Sequence, residues 1–174
     1  MKPEVRLFLA QLPSQAVISA CTCGPVGNWG KAPGTNGTLL GILLYTLVFF
    51  QIGLVGQVVL TALLVGLAIL LCDEGERRMA KRDPGEMILD EVVAVPICFI
   101  GMNGLMAETG HVWLYMLAGF GLFRLFDILK PFGIKNLQKY PGGIGVVVDD
   151  LAAAVATNIT LRLLIFALGF GGWI

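Results

Sequence analysis

Charge is what this 174-residue sequence has least of: Asp, Glu, Lys and Arg together make up 14% of it, against about 25% in an average soluble domain. So few ionic groups cannot cover a water-facing surface, which argues against a soluble globular protein. There is no excess of one sign either, with twelve Lys and Arg against twelve Asp and Glu. No net positive field exists for nucleic acid to find. Cysteine is sparse: Cys21, Cys23, Cys72 and Cys98 form no pattern beyond one C-x-C pair, so a disulfide scaffold is excluded. Histidine occurs once, at His111, which leaves a phosphohistidine mechanism without support. No G-x-S-x-G or Walker A pattern is present. Apolar residues are abundant instead, at 56% with a mean hydropathy of +0.82, and that excludes a disordered chain. The composition predicts one integral membrane domain over residues 1–174.

A bilayer core needs roughly 20 apolar residues in a helix. The clearest run is Leu54 to Cys72, which carries no charge. Thr38 to Phe50 is a shorter run before it. Val92 to Ala107 contains Pro96, which predicts a kink. Val112 to Leu129 is the fourth run, and a fifth starts near Asp149 and ends at Phe170. The fold class is therefore all-α, a bundle of about five transmembrane or half-membrane helices. Residues 1–20 read as an interfacial amphipathic helix with Val5, Phe8, Leu9 and Leu12 on one face. Ile18-Ser19-Ala20-Cys21 has the form of a lipoprotein cleavage box, but Gln11, Pro13, Ser14 and Gln15 break the apolar stretch before it. Lys and Arg fix the orientation. With the N-terminus inside, Lys2, Arg6, Lys31, Arg77, Arg78, Lys81, Arg82, Lys130, Lys135 and Lys139 all lie inside, and the two outer turns hold no Lys or Arg.

Ionic groups near a membrane are expensive, so their placement is informative. Apart from Glu4, Glu108 and those in the loop after the second run, acids fall in three places: Asp90-Glu91, Asp127 and Asp149-Asp150. The topology puts all three at one depth on the cytoplasmic side. Capping and the helix dipole account for acids at helix N-termini, but they do not account for Asp127 near a C-terminus. Arg124, Asp127 and Lys130 are spaced three apart and share a helix face. This is either a structural ion pair with a snorkelling Lys or a phosphate and metal station. Two Gly-rich stretches, residues 32–38 and 141–145, precede the first and fifth runs, and bare amides beside a helix N-terminus can hold an anion. Carboxylates suit Mg²⁺, and acids with Arg, Lys and amides are the equipment of phosphoryl chemistry. Cys72 and Arg78 have the spacing of cysteine phosphatases. Asp73, Glu74 and Glu76 between them would repel phosphate, so that match is read as chance.

Four segments carry a resemblance to a known family: A-P-G-T-N-G-T at 32–38, D-P-G-E-M-I-L-D-E at 83–91, F-R-L-F-D-I-L-K-P at 123–131 and G-G-I-G-V-V-V-D-D at 142–150. In order and spacing the chain resembles the phosphatidylglycerophosphatase A family of bacterial inner-membrane lipid phosphatases. Departures are Ala94 in place of a frequent Gly, Arg82 in place of a His, Gly133 in place of a second Pro, and an atypical segment from Cys21 to Lys31. The resemblance implies a Mg²⁺-dependent phosphatase that converts phosphatidylglycerophosphate to phosphatidylglycerol and inorganic phosphate, on the way to cardiolipin. Under it, Glu91, Asp127 and Asp150 are the expected Mg²⁺ ligands. Asp83, Asp90 and Asp149 are the expected catalytic groups, supporting the metal or positioning water. Lys31, Gly34, Thr35, Arg124, Lys130, Gly142, Gly143 and Gly145 are expected to hold the phosphomonoester.

The expected partners are the lipid substrate and the surrounding bilayer, with the active site facing the cytoplasm. Five short helices are a small bundle for enclosing a headgroup, which makes a homodimer a reasonable expectation. A phosphatase for a different lipid phosphate is one alternative. A small cation carrier is another, and it would string acids through the bilayer. A membrane alcohol phosphotransferase fits poorly, because Asp149 and Asp150 are adjacent rather than four apart.

Overall fold

A computed structural model describes residues 3–131 and 133–168, and every regular element among them is helical. Two short helices come first, α1 (Pro3–Gln11) and α2 (Ser14–Cys21). The bundle follows as α3 (Pro33–Leu47), α4 (Leu54–Met79), α5 (Leu89–Ala94), α6 (Asn103–Thr109), α7 (Val112–Leu129) and α8 (Gly143–Ala167). Four stretches are long and apolar enough to cross a membrane: α3 with the turn after it, α4, α7 and α8. A fifth is added if the bent segment from Leu89 to Thr109 counts as one span. Leu63, Leu67, Trp113, Leu117, Ile128 and Leu163 project outward from these helices, a surface that only lipid would cover without penalty.

Three helix boundaries differ from the sequence expectation. The first span opens at Pro33 rather than Thr38, because proline suits the first helical position, where no amide partner is lost. The second runs past Cys72 to Met79, so Asp73, Glu74 and Glu76 belong to a helix and not to a loop. It ends with Arg77 and Arg78 in its last turn, where cations offset the dipole. The last begins at Gly143, more than a turn before Asp149, so that acid pair lies inside a helix rather than at its start. The expected end at Phe170 lies outside the described residues.

The third span is not one kinked helix. After α5 the chain tightens into a 3-10 turn over Val95–Phe99, then breaks and resumes as α6 at an angle of 66°. Broken backbone at membrane depth needs donors and acceptors from neighbouring helices, and they are supplied. Asn158 on α8 shares its amide among the carbonyls of Ile97, Cys98 and Ile100 at 3.0–3.2 Å. Arg162 donates to Ile100 at 2.8 Å, and the Gly101 amide donates to Gln57 at 3.1 Å. Asn103 donates to the carbonyls of Phe49 and Phe50 in the turn after α3.

The core has two parts. Tyr45, Phe49, Phe99, Met106 and Phe123 join α3, α7 and the broken segment, while Val17, Cys21, Cys72, Met87 and Val147 join α2, α4 and α8. Helix α8 is the central post, with half of its most apolar window buried, against 11% for α4 at the edge. Helix α3 approaches α5 along Gly34, Gly37 and Gly41; a methyl at Gly41 would meet Val95 at 2.6 Å. Small residues at this spacing let backbones close up where no hydrophobic drive separates protein from lipid.

The N-terminal pair is tied to the bundle by α4. Arg78 donates to the carbonyls of Leu9 and Leu12 at 2.6 and 2.8 Å and is held by buried Glu74 at 2.8 Å. Of the expected apolar face, Leu9 is buried and Leu12 packs on the second core, while Phe8 is exposed beside Leu7. The side chain of Val5 lies outside the described residues.

Candidate active site

The acids meet at one end of the bundle because the C-terminal turns of α7 and the N-terminal halves of α3, α5 and α8 converge there. On α7, Arg124, Asp127 and Lys130 lie along one face. Arg124 reaches Asp127 at 2.8 Å and crosses to Glu91 on α5 at 3.2 Å, with Thr38 on α3 at 3.5 Å. Lys130 lies 3.6 Å from Asp127 and forms a short ion pair with Asp149 on α8. Glycine makes this approach geometrically feasible. A methyl at Gly34 would collide with Glu91 and Arg124, and one at Gly37 with Glu91 and Ile88.

Asp83, Asp90, Glu91, Asp127, Asp149 and Asp150 line a single cavity of about 120 Å³ together with Lys130. Six carboxylates against the Lys130 ammonium and the Arg124 guanidinium leave a negative enclosure. Two of their oxygens, Glu91 Oε2 and Asp149 Oδ1, are buried with no hydrogen-bond partner, and such orphans are costly. Lys130 and Asp83 both hold left-handed backbone, at φ 44° and 45°, an arrangement worth roughly 1–2 kcal/mol of strain each. Burial pushes the Asp83 carboxyl up, with Lys130 and Arg82 pulling the other way. Burial alone would lower Lys130; its contact with Asp149 and the nearby charges of Asp150 and Asp127 together outweigh that and raise it.

Would a divalent cation fit? The donor set is all oxygen, the charge is in excess, and two acceptors lack partners, which suits Mg²⁺. Among the described residues no three acidic, Cys or His side chains converge tightly enough to cage an ion unaided. Mg²⁺ does not require such a cage, since it usually takes one or two carboxylates and completes its shell with water and phosphate oxygens. The residues present fit the ion on those terms.

The Gly-rich stretch before α8 has a packing reason beside the anion-binding one. Gly142 (φ 64°) lies against Asp73 of α4, and the Gly143 amide donates to the Asp73 carboxylate at 3.3 Å. A methyl at Gly143 would strike the Ile69 carbonyl, and one at Gly145 the carbonyl of Tyr140. Gly142 and Gly145 also border a second, larger cavity of about 630 Å³, which shares the wall of Asp83 and Val146 with the acidic one. Lys31 is exposed and lines neither cavity, and Thr35 makes no side-chain hydrogen bond among the described residues.

Gly37 and Thr38, which support Glu91 and Arg124, lie in the 32–38 stretch marked by the sequence, but sequence reasoning does not single them out within it. It misses Asp73, which caps α8 from a neighbouring helix, and no local signal marks that residue because it acts across the bundle. Arg78 is engaged with Glu74 and the α1 end, and Cys72 is buried within α4; the residues between them are helical, so no phosphate cradle exists there. The acids cluster at one end rather than through the bundle, unlike a carrier.

The sequence profile of Phosphatidylglycerophosphatase A matches residues 19–165. A relative from Haemophilus influenzae named Phosphatidylglycerophosphatase A is 36% identical over 131 residues, covering 75% of this chain and 77% of that protein. One of the same name from Escherichia coli is 34% identical, covering 71% and 68%. A protein from Bacteroides thetaiotaomicron named putative phosphatidylinositol-3-phosphatase is 30% identical, covering 79% and 86%. No solved structure matches the chain.

Proposed function

Because the chain belongs to the phosphatidylglycerophosphatase A family, we propose that it is a Mg²⁺-dependent phosphatase acting on phosphatidylglycerophosphate. The products are phosphatidylglycerol and inorganic phosphate, in the branch of phospholipid synthesis that leads to cardiolipin. The protein sits in a bacterial inner membrane with its acidic end toward the cytoplasm. One observation carries the reading: six carboxylates from three elements and a loop line one cavity at the end of an apolar bundle.

The lipid chains stay in the bilayer and the terminal phosphate enters the cavity. Glu91, Asp127 and Asp150 would hold Mg²⁺, directly or through its water shell, and the ion when bound would supply charge neutralisation at the phosphoryl oxygens. Arg124 offers donors beyond the Nη1 used on its carboxylates, and Lys130 adds an ammonium; both stabilise charge as it develops on phosphorus-bound oxygen. Asp83, Asp90 and Asp149 orient the attacking water or take its proton.

The test is phosphate release by purified protein in detergent, with Mg²⁺ and with chelator, beside Asp150→Asn. Release is expected to need Mg²⁺ and to drop at least about a hundredfold in the variant, the usual scale for a lost electrostatic group. Full activity in chelator removes the metal from the reading, and full activity in Asp150→Asn removes that residue. Phosphatidylinositol 3-phosphate and phosphatidate run alongside, so a preference for either reassigns the substrate.

A further inference from the structure

The larger cavity beside the acidic one has an excess of cations, three against the two carboxylates of Glu76 and Asp83. Arg82, Lys135 and Lys139 border it, with Asn136 and Gln138 as neutral donors. Across residues 77–139, Arg77, Arg78, Lys81, Arg124 and Lys130 are all paired with carboxylates. Arg82, Lys135 and Lys139 have no carboxylate within ion-pair distance among the described residues. Arg82 spends donors only on the Gln138 and Tyr140 carbonyls, and Lys139 on Asn136. Of its two acids, Glu76 accepts from the Asp83 amide at 2.7 Å and Asp83 stands on the wall shared with the acidic cavity. Three cations without a carboxylate partner thus border an open space that shares Asp83 and Val146 with the acidic cavity.

A lone cation at a membrane edge needs no ligand, because inner-face loops collect Lys and Arg. Three around one cavity, beside a site for a phosphomonoester, call for a second anion. We infer that this cavity seats the phosphodiester joining the headgroup to its diacylglycerol, while the terminal phosphomonoester occupies the acidic cavity. The protein thereby selects lipids whose headgroup carries a second phosphate over lipids with a single phosphate. The inference rests on the lipid-phosphatase reading above. It applies equally to glycerol-bridged and inositol-bridged headgroups, which share this two-phosphate chemistry. Asp83, on the shared wall, separates the two anions and is fixed on the cationic side by Gln138 at 3.3 Å.

The experiment compares wild type, Lys135→Gln/Lys139→Gln and Lys135→Arg/Lys139→Arg. Phosphate release is measured from phosphatidylglycerophosphate, from phosphatidylinositol 3-phosphate and from phosphatidate, which lacks a phosphodiester. Binding of short-chain phosphatidylglycerol, which keeps the phosphodiester alone, is titrated in the same detergent. In the Gln pair, kcat/KM on the two-phosphate lipids is expected to fall about tenfold relative to phosphatidate, the scale of one charge-assisted contact. Phosphatidylglycerol affinity falls in step, and the Arg pair keeps both. Equal losses on all lipids, or no loss, would overturn the inference. If wild type hydrolyses none of them, the catalytic reading fails; the phosphatidylglycerol titration then decides alone, and unaltered affinity in the Gln pair overturns the second site.

Discussion

Two side chains at the acidic cavity hold a backbone that L-residues avoid. Lys130 closes α7 in the left-handed region, which turns its ammonium back toward Asp127 and Asp149; Pro131 then prevents any continuation. Asp83 adopts the same region and stands between the two cavities. Strain of this kind persists only where the surroundings over-determine it, and it gathers at functional sites. Glycine does the complementary work on α3. Gly37→Ala would push a methyl into Glu91 and Ile88, displacing a carboxylate that Arg124 holds. A misplacement of about 1 Å can cost on the order of a hundredfold in rate. Gly37→Ala is therefore expected to cut kcat by that order while leaving expression and helix content intact, as read by steady-state kinetics and circular dichroism.

At the scale of elements, the broken third span is the point most dependent on a single side chain. Asn158→Leu would leave the Ile97 and Cys98 carbonyls without their α8 donor, while Ile100 keeps only Arg162. One unsatisfied buried group costs about 1–3 kcal/mol, so the thermal midpoint in detergent should fall by several degrees. Activity should fall with it, because α5 carries Asp90 and Glu91 into the site from the near side of that break. An unchanged midpoint would mean that water or lipid replaces the amide. The same elements show what could be read in advance. The Arg124, Asp127 and Lys130 face was legible, because positions three apart share a side of a helix whatever surrounds it. So was the cluster of acids at one depth, from charge placement and topology alone. The start of α8 was not, because Gly142 and Gly143 look like loop residues until Asp73 supplies the cap. The end of α4 was not, because Asp73, Glu74 and Glu76 signal an exit from the membrane without saying whether the helix continues beyond it. Their helical state depends on partners far along the chain, among them Arg78 reaching the end of α1.

For the whole molecule, the charge layout makes folding and metal binding interdependent. An enclosure with six carboxylates, balanced only by Lys130 and Arg124, repels itself when empty of further counter-charge. A ligand that binds only the folded state stabilises it by RT ln(1 + [L]/Kd), or about 2.7 kcal/mol at a hundred times Kd. Mg²⁺ titrated into chelated protein is expected to raise the thermal midpoint, and Asp127→Asn with Asp150→Asn is expected to blunt the rise. A midpoint indifferent to Mg²⁺ in the parent protein would place the ion outside this enclosure.

Helix α4 has 26 residues, about 39 Å at 1.5 Å per residue, against a hydrocarbon core of about 30 Å. Its last turns, from Asp73 onward, therefore overhang the bilayer at the end where both cavities open. Headgroups occupy that same layer. On the proposed activity, a lipid reaches the site by sliding sideways, without being lifted out of the leaflet, and only inorganic phosphate leaves the plane. The search is two-dimensional: turnover follows the mole fraction of substrate in the surface, and diluting the suspension with water leaves it unchanged.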